Sequence, residues 1–145
     1  GGVDLGYVGE IESVNPELLL VLLKQCFLPV VSPIGLGKDG VTYNINADTT
    51  ASRIAVALEA YKIIFMTDVD GVLEDGKLKG QLSSVEAEKL IKKNVISGGM
   101  APKVSAGVFC VENGVASAQI INGTDPHSVI AELFTDKGIG TQIVL

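Results

Sequence analysis

The segment that decides the fold is residues 62–73, KIIFMTDVDGVL. It contains an uninterrupted apolar run, Ile63 to Met66, followed closely by Asp68, Asp70 and Gly71. A short apolar run that ends in turn residues is typical of a strand buried on both faces of a parallel sheet. Ligands of such sheets bind beyond the carboxyl ends of the strands, so the aspartate turn is a candidate site.

Further apolar segments alternate with helical patterns on both sides of this strand. Strands are predicted at residues 28–32, 118–121 and 141–145, and a hairpin at the 35–40 turn with 41–45 as its second strand. Helices are predicted from Pro16 onward, at 47–59, from the Ser83/Glu86 capping box to about 93, at 100–113 and at 126–134. The alternation predicts a single α/β domain over residues 1–145, with a mostly parallel sheet sandwiched by helices. The loops after Ile45, Met66, Asn94 and Ile121 would then carry the site.

Composition excludes several classes of protein. The chain has 145 residues, 47% of them hydrophobic and 19% charged, which is too apolar for a disordered protein or a coiled coil. A net charge of −6 argues against nucleic acid as a partner, and no apolar run reaches membrane-spanning length. Cys26 and Cys110 are predicted to be buried, reduced thiols of a cytoplasmic protein. Because the chain starts with glycine and not methionine, we expect Gly1–Gly2 to be an added remnant or the chain to be a part of a longer protein.

The aspartate turn has an alternative interpretation. Its pattern is similar to the first motif of haloacid-dehalogenase phosphatases, in which Asp68 would be the nucleophile and Asp70 the general acid beside Mg²⁺. A second acidic pair that would hold the metal is missing from the chain, and a strand that ends in an Asp-Gly turn explains the same residues. We therefore rank the phosphatase as a minor alternative and predict no protein-bound metal site.

Two polar clusters are further candidates for ligand binding. Residues 42–50, TYNINADTT, place short polar side chains at a helix entrance, where they either position a polar ligand and nearby lysines or form a helix cap. Residues 96–103, ISGGMAPK, combine a glycine pair with a helix N-terminus, an arrangement that binds anions. The helix dipole disfavours Lys103 there unless an anion is bound. The single histidine, His127, is predicted to be a surface or capping residue.

Taken in order, these segments resemble the C-terminal half of the acetylglutamate kinases, which belong to the amino acid kinase family. The matching stretches include VDLGYVGEIESVNPELL, YNINAD, TDVDGVL, ISGGMAPKV and ELFTDKGIGTQI, and they cover nearly the whole chain. The resemblance implies ATP-dependent phosphorylation of the γ-carboxylate of N-acetyl-L-glutamate in arginine biosynthesis. ATP would bring Mg²⁺ with it.

The resemblance also implies roles for individual residues. Lys103 would stabilise the transferring phosphoryl group, Asp48 would orient the catalytic lysines, and Asn44 would contact acetylglutamate. Glu132 and Gly138 would bind feedback arginine in an arginine-sensitive member. The walls of the nucleotide site would be Thr67, Asp68, Val69, Asp70, Gly71, Val72, Leu73, Val95, Ile96, Ser97, Gly99 and Met100.

The resemblance covers only the C-terminal half of these kinases. Their N-terminal half would supply another phosphate-binding lysine and a substrate-binding arginine. We therefore expect the isolated chain to bind nucleotide with little or no kinase turnover. A non-catalytic nucleotide- or arginine-binding module stays open as an alternative. The parent protein is expected to be a cytoplasmic or plastid homo-oligomer, and the chain alone a monomer.

Overall fold

Residues 6–135 and 138–145 are described by a computed structural model. Their helices are α1 (Glu17–Lys24), α2 (Ala47–Ala57), α3 (Ser84–Lys92), α4 (Met100–Glu112) and α5 (Ser128–Phe134). Their strands are β1 (Ile34–Leu36), β2 (Thr42–Asn44), β3 (Lys62–Thr67), β4 (Leu73–Glu74), β5 (Lys77–Leu78), β6 (Gln81–Ser83), β7 (Ser117–Asn122) and β8 (Thr141–Val144).

A four-stranded sheet in the order β3-β7-β8-β6 forms the centre of the fold. β3 runs parallel to β7, with Phe65 opposite Ile120, and β6 runs parallel to β8, whereas β7 and β8 are antiparallel. The predicted α/β class with a mostly parallel sheet is therefore confirmed. Helix α4 packs on this sheet, and its buried side chains join those of β3, β7 and β8 in one apolar core.

The local signals that predicted helix boundaries have structural counterparts. Ser83 and Glu86 form the expected capping box: the Ser83 hydroxyl accepts from the Glu86 amide, and the Glu86 carboxylate accepts from the Ser83 amide. The Ser83 amide and the Ser83 hydroxyl both donate to the Glu86 carboxylate, and these two hydrogen bonds hold the pKa of Glu86 below its ordinary value. Asn46 caps α2 by accepting from the Thr49 amide. The predicted hairpin is formed by β1 and β2.

The predicted strand at residues 28–32 is wrong. This segment has no regular secondary structure, and Leu28, Val30 and Val31 are exposed. An apolar sequence can favour a strand, but a strand also needs a neighbour with which to pair its backbone. Among the described residues, none pairs with this segment.

The cysteine prediction is half confirmed. Cys110 is fully buried, and burial raises the pKa of its thiol to about 11. Cys26, by contrast, is exposed at the end of α1 with a positive φ, so its prediction as a buried thiol is wrong. In the described ranges, no helix has the length and apolar character that crossing a bilayer requires.

Candidate functional site

The helices α2 and α4 bring together two residues that lie 55 positions apart in the sequence, Asp48 and Lys103. The Lys103 Nζ donates to both carboxylate oxygens of Asp48, at 2.9 Å to Oδ1 and 3.1 Å to Oδ2. Only about one fifth of each side chain is exposed, 22% for Lys103 and 21% for Asp48. The result is a half-buried ion pair.

The position of this pair in the fold follows from the connections of the two helices. Each helix leads through a short connection into the parallel strand on which it packs, α2 into β3 and α4 into β7. Such a helix runs antiparallel to its strand, so its N-terminus lies at the carboxyl edge of the sheet. Asp48 in the first turn of α2 is favoured by the helix dipole, whereas Lys103 near the start of α4 is disfavoured. The Asp48 carboxylate compensates for this unfavourable placement.

The aspartate turn after β3 lies at the same edge and is tied to the neighbouring strands. The side-chain amide of Asn122, at the end of β7, donates to Asp70 Oδ1 at 2.9 Å. The Val72 amide donates to the buried Thr141 hydroxyl at 2.8 Å. Gly71 has φ +142, and a Cβ at this position would fall against the Thr141 side chain, so the turn requires glycine. The turn is thus held in one shape by two side chains that are remote in sequence.

The residues predicted to wall a nucleotide site divide into two kinds. Asp68, Val69, Asp70, Leu73, Val95, Ser97 and Gly99 are exposed, and Thr67 and Met100 are half-buried. Val72 and Ile96 are core residues with 1% and 3% exposure. Gly71 has no side chain to offer. These last three residues, and likewise Gly99, could therefore contact a ligand only through their backbones.

The polar residues of the 42–50 cluster have different positions in the structure. Asn46 caps α2 and Asp48 has already entered the helix, while Asn44 is an exposed residue at the end of β2. The capping alternative is therefore correct for Asn46. His127 is exposed next to the start of α5, with φ +62, as predicted for a surface residue.

A polar cavity includes Lys62, at the start of β3. Glu132, whose side chain is 3% exposed, accepts from Lys62 Nζ at 2.6 Å and from the Ile139 amide at 3.0 Å. Gln119 is also buried, and its Oε1 has no hydrogen-bond partner among the described residues. The cavity has a volume of about 470 Å³, and Gly138 belongs to its wall.

Of this cavity, the sequence predicted Glu132 and Gly138 but missed Lys62 and Gln119. Lys62 begins the strand on which the fold prediction rests, and a polar residue at the start of an apolar strand was the available signal. Gln119 interrupts the apolar segment of β7 in the same way. Five residue steps along β3 place Lys62 roughly 16 Å from Thr67, at the start of the aspartate turn. The far wall of the cavity, which includes Gly138 and Gly140, also borders a neighbouring cavity lined by Asp70 and Asn122.

In the described parts of the chain, no three His, Cys, Asp or Glu side chains are grouped as metal ligands.

Comparison with known proteins places these features in a family. The model of the amino acid kinase family matches residues 1–122. The acetylglutamate kinase of Desulforamulus reducens is 52% identical over 145 residues, which cover 97% of this chain and 50% of that protein. The acetylglutamate kinase of Methanothrix thermoacetophila is 51% identical, with the same coverage. The chain thus spans about half the length of the curated relatives it matches.

Solved structures agree with this placement. The N-acetylglutamate synthase of Neisseria gonorrhoeae, in complex with coenzyme A and L-arginine, has a TM-score of 0.91 and 33% identity to this chain. The match covers 99% of this chain and 34% of that protein. The predicted resemblance to the acetylglutamate kinases is confirmed, and the comparisons give the phosphatase alternative no support.

Proposed function

The chain belongs to the amino acid kinase family, and on that premise we propose that it supplies the nucleotide-binding half of an acetylglutamate kinase. The reaction would move the γ-phosphoryl group of ATP to the γ-carboxylate of N-acetyl-L-glutamate and release ADP. The observation that carries the proposal is the half-buried pair of Lys103 and Asp48. It sits at the sheet edge where α/β folds bind their ligands.

Phosphoryl transfer depends mainly on positioning and on cations around a charge-rich transition state. Lys103 is a cation in a partly desolvated site, where its attraction for developing phosphoryl charge exceeds that in water. Asp48 fixes the direction of the ammonium group through two hydrogen bonds. We therefore assign transition-state stabilisation to Lys103 and a positioning role to Asp48.

The nucleotide itself would bind to the two loops at the same edge. The amides of Gly98 and Gly99 and the start of α4 suit phosphate groups, because helix N-termini attract anions. The 67–73 turn would form the adjacent wall, its shape held by Asn122 and Thr141. Mg²⁺ would arrive with ATP, since phosphates and water supply most of its ligands, and we assign no residue of this chain to it.

Asn44 is proposed as a contact to the acetylglutamate. It ends β2, two residues before the cap of α2 and four before Asp48. The exposed side-chain amide of Asn44 can both donate hydrogen bonds to the acetylglutamate and accept them from it. The remaining substrate contacts are proposed to come from the half of the relatives that this sequence does not match.

For the cavity around Glu132, we propose arginine as the ligand. A buried carboxylate suits a guanidinium, and the unpartnered Gln119 Oε1 offers a further acceptor. The Neisseria gonorrhoeae synthase whose fold matches this chain was solved with L-arginine. Calorimetric titration with arginine tests the assignment: Glu132→Gln should weaken binding at least about tenfold. Equal binding by the variant would refute it.

The kinase proposal is tested in a chimera, because the chain matches only half of its relatives. This sequence would replace its matched region in the Desulforamulus reducens acetylglutamate kinase. The acyl phosphate product would be trapped with hydroxylamine and measured as the hydroxamate. We expect ATP-dependent product with acetylglutamate, and a loss of at least about a hundredfold in kcat for Lys103→Ala.

The matched control is Lys93→Ala, which removes an exposed lysine at the end of α3 and should leave kcat unchanged. A folded chimera without turnover would contradict the proposed reaction. Turnover within tenfold of the parent chimera after Lys103→Ala would contradict the role of that lysine.

A further inference from the structure

Gln119 has a buried hydrogen-bond acceptor that nothing in the described structure satisfies. Its Oε1 is the only fully buried side-chain oxygen or nitrogen without a partner among the described residues, and the residue as a whole is 3% exposed. A buried acceptor without a donor destabilises the folded protein, so its presence requires an explanation. The missing donor has to come from outside the described residues.

The orientation of the Gln119 amide is fixed by its other hydrogen bond. Its Nε2 donates to the Ile139 carbonyl oxygen. Rotating the amide by half a turn would place Oε1 against that carbonyl, so two acceptors would face each other. Gln119 lies in the wall of the 470 Å³ cavity that also contains Lys62 and Glu132. A ligand in this cavity is therefore the available source of the missing donor.

The charge of Glu132 is already matched inside the cavity. Lys62 Nζ donates to Glu132 Oε1 at 2.6 Å, and the Ile139 amide donates to Oε2 at 3.0 Å. In the described part of the cavity wall, Lys62 and Glu132 are the only charged residues. A ligand that offers nothing but a positive charge gains little there, because it competes with an ammonium group that the chain holds beside the carboxylate.

A primary ammonium and a guanidinium differ in how they meet these acceptors. An ammonium ligand duplicates the head group of Lys62 and has to displace it from Glu132. A guanidinium presents five N–H donors in a flat fork. It can donate to Glu132, whose two carboxylate oxygens can each accept a second hydrogen bond, and to Gln119 at the same time. The Gln119 acceptor thus favours the ligand group that Lys62 cannot imitate.

We propose that Gln119 is the residue that makes this cavity selective for a guanidinium ligand over a ligand that ends in a primary ammonium. Its Oε1 accepts one N–H of the bound guanidinium, while Glu132 accepts others and keeps its ion pair with Lys62. The inference rests on the proposed arginine site and names the residue that sets the specificity of that site.

The test is calorimetric titration of this full chain with L-arginine and with L-lysine, before and after Gln119→Met. Methionine has a length similar to that of glutamine but carries only a weak acceptor. We expect the parent chain to prefer arginine at least about tenfold, as one hydrogen bond to a charged donor would give. In Gln119→Met the preference should fall to within about threefold, mainly through weaker arginine binding.

The ratio of the two affinities separates recognition from a structural role, because a distorted cavity would weaken both ligands. Gln119→Asn, which draws the amide back by one methylene, is a second variant and should give the same fall in preference. Gln25→Met is the control. It changes an exposed glutamine at the end of α1, outside the cavity, and should leave both affinities unchanged.

Two results would overturn the inference alone: equal affinity of the parent chain for arginine and lysine, or an unchanged preference in the folded Gln119 variants. If arginine binds and Glu132→Gln weakens it while the preference survives Gln119→Met, the arginine site stands and the role of Gln119 is wrong. If the folded parent chain binds neither amino acid, the arginine site and the inference are both wrong.

Discussion

The ion pair between Lys103 and Asp48 should stabilise the fold measurably, and a double-mutant cycle can isolate its contribution. At an effective dielectric constant of about 20, two unit charges 3 Å apart attract each other by roughly 5 kcal/mol. Desolvation of the two groups cancels most of this, because only about one fifth of each side chain remains exposed. We expect a net coupling free energy of about 1–2 kcal/mol.

The assay is urea unfolding of the parent chain, Asp48→Asn, Lys103→Met and the double variant at pH 7. The chain contains a matched control in Lys92 and Glu88, which are also 2.9 Å apart but lie 74% and 48% exposed on α3. An exposed pair of this spacing should couple by only about 0.3–0.5 kcal/mol. Added salt should reduce the exposed coupling more than the half-buried one.

A coupling between Lys103 and Asp48 no larger than that of the control pair would refute the reasoning. It would mean that solvent stabilises the Lys103 ammonium group just as well when Asp48 is absent. The positioning role assigned to Asp48 would then lose its physical basis.

Three further predictions concern a core glycine and the two cysteines. Gly140 has φ +76, and a Cβ there would fall on the Ile120 carbonyl oxygen, so Gly140→Ala should cost more than about 2 kcal/mol. Gly99→Ala, with no atom within 4 Å, is the control, and similar melting temperatures for the two variants would refute the prediction. At pH 8, a disulfide reagent should modify exposed Cys26 and spare Cys110, whose pKa burial raises to about 11. Because the native Cys110 thiol binds its proton more tightly than the unfolded one, its contribution to stability is full below pH 9 and is lost as pH rises towards 11. Rapid modification of Cys110 in the native Cys26→Ser variant would contradict the prediction that the buried thiol is spared.

The fold could be predicted wherever local signals decide the structure. The apolar run of β3, the capping box at Ser83 and the Asn46 cap depend on neighbours within a few residues, so the sequence shows both partners. The β4–β5 hairpin was missed although its Asp75-Gly76 turn is a strong hairpin signal, and both turn residues have positive φ.

The prediction failed where the deciding partner is distant or absent from the described residues. The 28–32 segment has strand composition but nothing to pair with, and no local pattern reveals that. Lys62 and Gln119 line a cavity together with Glu132, which lies on α5. Glu132 is 70 positions from Lys62 in the sequence, so no local pattern joins them. Lys103 was noticed because the dipole of α4 disfavours it, but its contact with Asp48 required the packing of two helices.

The most direct test of the nucleotide-binding role is calorimetric titration of this chain with a non-hydrolysable ATP analogue and Mg²⁺. We expect one site per chain with a dissociation constant in the micromolar to millimolar range. Lys103→Ala should weaken the affinity at least about tenfold and Lys93→Ala should leave it unchanged. Absence of heat from a folded chain, or equal affinity of the Lys103→Ala variant, would contradict the assignment of the nucleotide site to this edge of the sheet.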